Sequence, residues 1–306
     1  MAEKYVYRPL IHENFKDFAR LYYAVYNYQP SVEEIQKKIS ALTDDAGCIG
    51  YLAYAEQNEV AAFYGVFPKP IRIGLSSIVG AQSGSTMTHP SHRNQGLFKK
   101  LARLTYDECK IRKVDFVYGI PNQYSFKGFQ SLGWSFLYHM TAVTLPLPTL
   151  SFFRYMRSSK SDDYFLPPQS IEKLYIFKFF NRDENPQSAN EIRAVAASQV
   201  IILNEIKLTV KVTRLNQWRI GEIYIPNGTS RLTCYLTLFA LITEMLLHNA
   251  SLMSFFAQPH DSSLQKFFPT FLYRRSLQLG VLNISGYLTE QEIKSITIKY
   301  KDYDTF

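Results

Sequence analysis

Between Met87 and Trp134 the chain reads as an apolar strand, a proline-led turn, Arg-x-x-Gly, an amphipathic helix, a second strand and an asparagine at that strand's end. No other stretch restricts the possible folds as much. The order places a loop directly before a helix N-terminus, where several backbone N–H groups lack partners and the helix dipole is positive. Such a terminus is an anion site. Gly96 has no Cβ, so a phosphate can approach the main chain closely. Arg93 adds a planar, permanently charged fork. From Gly96 to about Lys113 the chain reads as helix, with Leu97, Leu101 and Leu104 at i, i+4 and i+7 on one face. The pattern predicts a site for a pyrophosphate.

The run Arg93-Asn94-Gln95-Gly96-Leu97-Phe98 resembles motif A of the GNAT superfamily of N-acetyltransferases, Arg-x-x-Gly-x-Gly/Ala. The similarity continues downstream. There the superfamily often has N-x-x-A-x-x-x-Y-x-x-x-G-F, and Asn122, Ser125, Phe129, Gly133 and Trp134 stand at that spacing. The resemblance implies an α/β (α+β) fold with a mixed, mostly antiparallel central sheet flanked by helices, and acetyl-CoA as cosubstrate. It implies that the backbone at Met87 and Thr88 serves the pantetheine arm. It further implies that the N–H groups of Asn94, Gln95, Gly96, Leu97 and Phe98, with the Arg93 side chain, hold the phosphates. Asn122, ending strand Val114–Ile120, would hydrogen-bond the pantetheine or the adjacent backbone, and Ser125 is a further cofactor-binding position.

Two departures bear on mechanism. Phe98 occupies the Gly/Ala position of the motif, and its phenyl is expected to pack under the loop. Phe129 occupies the place of the tyrosine that many members use to protonate the leaving thiolate; a phenyl has no proton to give. Val79–Thr88 contains no Glu or Asp, so that strand carries no general base. Asp304, His139, Glu56 and the Phe306 carboxylate are candidates for the base, but each also reads as an ordinary surface group. No catalytic residue is assigned. The string P-N-x-x-S-F-x-G-F-x-x-L-G-W resembles a subgroup associated with bacterial surface-polysaccharide and aminosugar modification.

The chain has 306 residues, more than one usual domain of roughly 100–200. Its 46% hydrophobic content is ample for buried cores. No uninterrupted apolar stretch reaches the roughly 18 residues of a spanning helix. The most apolar segment, Leu232–Leu247, contains Thr233, Thr237, Thr243 and Glu244 and reads as a buried helix. The N-terminus shows no signal peptide. Cys48, Cys109 and Cys234 are odd in number and widely spaced, which argues for a reducing cytoplasm and against disulfides or a metal site. A net charge of +8 invites a nucleic-acid reading, but the basic residues are scattered. Their densest group, Lys99, Lys100 and Arg103, follows the phosphate loop, as a solvated face or as an attraction for anionic CoA. Neither needs nucleic acid.

Tyr5–Leu10 reads as a strand and Asn14–Tyr26 as a helix. A second helix runs to about Leu42, opened by a Ser31/Glu34 capping box. Cys48–Ala55 and Val60–Phe67 form a hairpin, Pro68–Leu75 a further strand, and Ser77–Thr88 leads to the loop. The expected organisation is a GNAT domain over 1–145, a Pro- and Ser-rich linker or excursion over 146–190 with a short helix at Ile171–Phe180, and a degenerate GNAT-like domain over 191–306. In the last, Val200–Val212, Glu222–Ile225, Leu252–Ala257, Gly280–Ile284 and Ile296–Tyr300 are expected strands, and Leu232–His248 and Ser262–Phe268 helices. No Arg-x-x-Gly precedes the long helix of that half, so it should bind no CoA of its own. Asn216–Arg219 and the terminal Tyr300–Asp304 resemble segments of tandem members of the polysaccharide-linked subgroup.

Three functions are consistent with these residues. The first is acetyl transfer from acetyl-CoA to a small-molecule primary amine, an aminosugar or nucleotide-linked sugar. The second is a non-catalytic acyl-CoA-binding or sensing module, favoured by Phe129 and the strand without a carboxylate. The third is a tRNA-dependent aminoacyltransferase of tandem GNAT type, against which the intact phosphate loop counts.

Overall fold

The structure, a computed structural model, describes residues 4–43, 47–73, 76–157, 199–212 and 216–295. The chain divides into two compact units, Met1–His139 with Leu277–Thr297, and Met140–Ser276 with Ile298–Phe306.

The first unit is built from β1 (Val6–Pro9), α1 (Phe15–Tyr26), α2 (Val32–Leu42), β2 (Ile49–Tyr54), β3 (Val60–Ile73), β4 (Ser76–Thr88), α3 (Leu97–Ile111), β5 (Phe116–Gly119) and α4 (Phe126–Gln130). Local signals account for its helices. Ser31 Oγ accepts the Glu34 N–H and Glu34 returns a bond to the Ser31 N–H, so the expected capping box opens α2. On α3 the buried stripe is Leu97, Leu101, Ala102, Thr105, Tyr106 and Cys109; Leu104 is only half-buried at its margin.

The sheet of this unit runs β1-β2-β3-β4-β5 and is then closed by a strand from much later in the chain, β11 (Tyr273–Asn283). All pairs are antiparallel except β4 with β5, which is parallel and spanned by α3. Gly280–Asn283 pairs with Gly119–Phe116. Leu277–Thr297, which lies within the span 191–306, thus groups by its contacts with the first unit. β3 also differs from expectation. Pro68 and Pro70 do not start a new strand: β3 runs through them, paired with Ala81 and Val79 of β4, and its pairing with β2 among the described residues stops at Val66.

The second unit holds most of β6 (Ser135–Pro146), α5 (Leu150–Arg157), β7 (Gln199–Leu203), β8 (Ile206–Val212), β9 (Gln217–Tyr224), α6 (Arg231–Leu247), β10 (Leu252–Ala257) and α7 (Ser262–Phe267). Its strands order as β6-β10-β9-β8-β7, again antiparallel apart from one parallel pair, β9 with β10, which α6 spans. The expected single strand Val200–Val212 is a hairpin. Asn204 and Glu205 have φ of 49° and 66°, the left-handed pair of a tight turn. A last short helix, α8 (Glu290–Ser295), follows β11 in the first unit.

Each unit has its own core. Ile49, Tyr64, Val66, Leu101, Tyr106, Val117 and Trp134 lie in the first, and Leu208, Trp218, Ile220, Leu241, Met253 and Phe268 in the second. The helix read as buried, α6, buries only Cys234, Thr237, Leu238, Leu241 and Met245. Its other face is exposed. The expected helix at 171–180, the strand at 296–300 and the terminal segment 300–304 lie outside the described residues.

Candidate functional site

The site grows from a break in strand pairing. β4 and β5 pair over Gly80–Gln82 and Phe116–Tyr118, after which β5 ends at Gly119 while β4 continues to Thr88. The strands still touch at the end of pairing, since a Cβ on Gly119 would lie 3.4 Å from Ser83 Cβ. Beyond it Ser83–Thr88 has no β5 residue opposite. On its other side β4 bulges: Gly65 pairs with Gly84 but Phe63 with Met87, so β4 fits one extra residue there, and Ser85 takes φ 54°. A bulge at this place turns the backbone groups of β4 out of the regular ladder.

Asp115 anchors the start of the β4–β5 ladder, at the end away from the gap. Its Oδ2 accepts the Val79 N–H at 2.8 Å, its own N–H donates to Val79 O, and its carbonyl accepts from Ile284 and Ser285. One residue thus ties β4, β5 and the end of β11 together. Sequence reasoning missed it, because a single Asp before a strand carries no spacing signal.

From Thr88 the chain enters the short turn Pro90–His92 and then the loop to α3. Asn94 and Gly96 both have positive φ, 62° and 71°. Left-handed residues in such a loop turn successive N–H groups toward a common concavity, the nest that binds anions. The first helical bond is Lys100 N–H to Gly96 O, so the N–H groups of Leu97, Phe98 and Lys99 precede the helix's own acceptors. Gly96 provides no side-chain cap, the first turn contains no acid, and Lys99 and Lys100 lie in it. Cations at a helix N-terminus oppose the dipole, an arrangement that an anion would relieve. Arg93, Asn94, Gln95 and Gly96 are exposed, and a Cβ on Gly96 would meet nothing within 4 Å. The requirement for glycine here is therefore its backbone angle more than local crowding.

The base of the loop is clasped. His92 bonds Tyr5 OH and Glu59 Oε2, each at 3.1 Å, and Lys4 Nζ donates to Gln95 Oε1 at 3.4 Å. Glu59, His89 and His92 bring ligand-type atoms within 4.8 Å of one another. Both His92 nitrogens are engaged, however, and His89 Nδ1 receives the Ser91 N–H, so the group reads as a polar clasp.

The structure assigns Asn122 a local task. Its Oδ1 accepts the N–H groups of Tyr124 and Ser125, at 2.9 and 3.0 Å, and the Ser125 hydroxyl. Asn122 and Ser125 together shape the turn into α4. Phe98 points at that helix. Its ring meets Phe129 and Tyr64 edge-on, at centroid distances of 5.0 and 5.6 Å. Met87 is buried, so what it can offer a ligand is backbone.

Where Phe129 lacks a hydroxyl, a buried chain of polar groups lies nearby that spacing did not reveal. Ser83 Oγ–H donates to Tyr64 OH at 3.0 Å, Tyr64 and Tyr106 hydroxyls bond at 2.9 Å, and Trp134 Nε1–H donates to Tyr106 OH at 3.0 Å. Burial pushes both tyrosine hydroxyls well above their ordinary range, so they stay protonated. Burial likewise pushes the Cys48 and Cys109 thiols up to about 12, which makes them poor nucleophiles. Of the candidate bases, Glu56 is exposed in the turn after β2 and His139 is half-buried on β6. Asp304 and Phe306 lie outside the described residues.

Residues 6–137 match the acetyltransferase (GNAT) domain family. A Pyrococcus horikoshii protein superposes with a TM-score of 0.55 at 12% identity, covering 98% of this chain and 94% of its own. A GCN5-related N-acetyltransferase from Kribbella flavida superposes at 0.52 and 10% identity, covering 90% and 70%. The fold is the GNAT fold. A further GCN5-related N-acetyltransferase, from Anabaena variabilis, shares the GNAT fold at 0.52 and 11% identity over 92% of this chain and 73% of that one. No curated protein matches the sequence. In GNAT terms the matched span ends near β6, and the strand that completes its sheet, β11, lies far outside it. Among the described residues no helix is long and apolar enough to cross a membrane.

Proposed function

We propose that the first unit binds acetyl-CoA and transfers its acetyl group to a primary amine. The observation that carries this reading is the adjacency of two features: a β4 edge that loses its β5 partner after Gln82, and an acid-free helix N-terminus with a left-handed loop at the end of that same strand. A strand edge that outruns its neighbour suits an amide-containing arm, and a nest beside Arg93 suits a pyrophosphate. The GNAT match over residues 6–137 supports acyl transfer as the reaction class. The ten positions from Met87 to Phe98 and at Asn122 and Ser125 named above are the proposed binding set; Asn122 and Ser125 act by shaping the turn into α4.

The chemistry asked of such a site is positioning. The amine nitrogen attacks the thioester carbonyl, and a backbone N–H pair in β4 beyond its pairing with β5 would suffice to receive the oxyanion. When the C–S bond breaks its electron pair goes to sulfur, which takes up a proton to leave as the thiol, and the amine proton leaves through water or through a carboxylate or histidine from outside Val79–Thr88, which offers no acid. An aminosugar or nucleotide-linked sugar is the proposed acceptor, on the resemblance of Pro121–Trp134 to the polysaccharide-linked subgroup. The second unit repeats the antiparallel strands, crossover helix and parallel strand of the first, which supports its reading as a degenerate GNAT-like unit.

Calorimetric titration with acetyl-CoA tests the reading, followed by turnover with a panel of aminosugars. Saturable binding with release of free thiol supports the enzyme. Saturable binding without turnover of any amine supports an acyl-CoA-sensing module, the reading that Phe129 favours. No binding at millimolar acetyl-CoA rejects both.

A further inference from the structure

Helix α6 carries large apolar side chains on its outer face as well as its inner one. From Leu232 to Thr243 it has no charged residue. Its inner face, Cys234, Thr237, Leu238, Leu241 and Met245, covers the second unit's sheet. A helix apolar all round is one buried all round. Yet Leu232 is 67% exposed, Leu236 56%, Phe239 71% and Leu247 74%, with Tyr235 and Leu246 near two-fifths. Together these six side chains offer on the order of 600 Å², approaching the roughly 800 Å² that each partner gives to a stable interface. A patch of this size is at the upper end of what a monomer's surface shows, and such patches are often functional.

We infer that α6 is the seam of a two-fold homodimer. Spacing selects a second copy of this chain as the occupant. Phe239 lies seven residues after Leu232 and seven before Leu246, so the outer stripe has its midpoint at its most prominent ring. An antiparallel pairing about an axis through Phe239 brings it onto the partner's Phe239 and Leu232 against the partner's Leu246. This is the self-complementarity that an isologous contact requires. Charge points the same way. Arg231 lies at the end of the stripe and donates to Gln265 O at 3.2 Å, leaving a charge-free centre with polar ends, the anatomy of a protein interface. A lipid surface is the other apolar occupant, but helices that lie on membranes flank the apolar face with Lys and Arg. Helix α6 has only one such residue, Arg231 at its first position, and that one is bonded to Gln265 O. The inference is independent of the function proposed for the first unit.

Sedimentation velocity of the full chain across a wide concentration range tests it, with the Phe239→Arg and Phe239→Cys variants. The wild type is expected at twice the 35.4 kDa chain mass. Phe239→Arg should be monomeric with an unchanged far-UV circular dichroism spectrum. Phe239→Cys should form a disulfide-linked dimer on mild oxidation, whereas Tyr287→Cys, 89% exposed in the other unit, should not. The cross-link keeps the inference testable if the arginine variant does not fold. A wild-type monomer at high concentration overturns the inference, as does a dimer indifferent to Phe239→Arg or a monomer that floats with anionic vesicles.

Discussion

A Cβ built on Gly128 would lie 2.6 Å from Cε1 of Phe98. The two residues are a size-matched pair across α3 and α4. Phe98 stands where the GNAT motif has Gly or Ala, and Gly128 makes the room. Gly128→Ala should therefore cost about 1–3 kcal/mol through overpacking. Chemical denaturation of the double-mutant cycle with Phe98→Leu should show a coupling of at least about 0.5 kcal/mol. Additive effects would mean that the rings repack freely.

Gly96→Asp should abolish acetyl-CoA binding, by placing a carboxylate at the proposed phosphate site. Gly96 has φ 71°, so any side chain there also costs about 1–3 kcal/mol of backbone strain. Gly96→Ala separates the two effects. With open space around the new Cβ it should lose some stability and keep most of its affinity. Equal affinity losses in both variants, measured by calorimetry, would falsify the electrostatic account of the loop.

The hydroxyl chain under the site has its own pH signature. Tyr64 and Tyr106 resist ionisation in the fold because of burial, while in the unfolded chain they ionise near pH 10. Above that pH the unfolded state holds fewer protons than the native one, so stability falls as pH rises, by about 1.4 kcal/mol per pH unit for each group. Urea unfolding should therefore be flat in pH from these groups up to about pH 9 and decline beyond. Tyr106→Phe should lessen that decline. At neutral pH it should cost about 1–3 kcal/mol, because the Trp134 N–H and the Tyr64 hydroxyl each lose a buried partner. A wild-type curve flat to pH 11 would refute the buried network.

What was legible in the chain was local. The capping box of α2, the loop before α3 and the turn into α4 are set by residues within a few positions of one another, and each forms where its signal lies. Long-range pairing left no such mark. Gly280–Ile284 reads as a strand, but nothing in its composition shows that its partner is β5, some 160 residues earlier. Residue chemistry can also satisfy itself close to home. Asn122 stands at a ligand position by motif spacing, yet its Oδ1 is occupied by the N–H groups of Tyr124 and Ser125. Apolarity alone misled at α6, since it reports burial without saying whether the cover comes from the same chain.

Asp115 provides the sharpest link between stability and site. Its carboxylate accepts the Val79 N–H one residue before β4 begins to pair with β5, and its carbonyl receives the N–H groups that end β11. Asp115→Ala takes the acceptor from the part-buried Val79 N–H, at a cost of about 1 kcal/mol. The effect should not stop at stability. Losing this tie loosens the start of the short β4–β5 ladder, beyond which β4 continues past the end of β5 as Ser83–Thr88. Affinity for acetyl-CoA should fall several-fold in a variant still fully folded at the assay temperature. Asp115→Asn retains an acceptor oxygen and should recover most of both losses. Amide hydrogen exchange distinguishes the outcomes: faster exchange confined to Val79 and its neighbours with weakened binding supports the tie, whereas unchanged binding would show that the gap is held by strand packing alone.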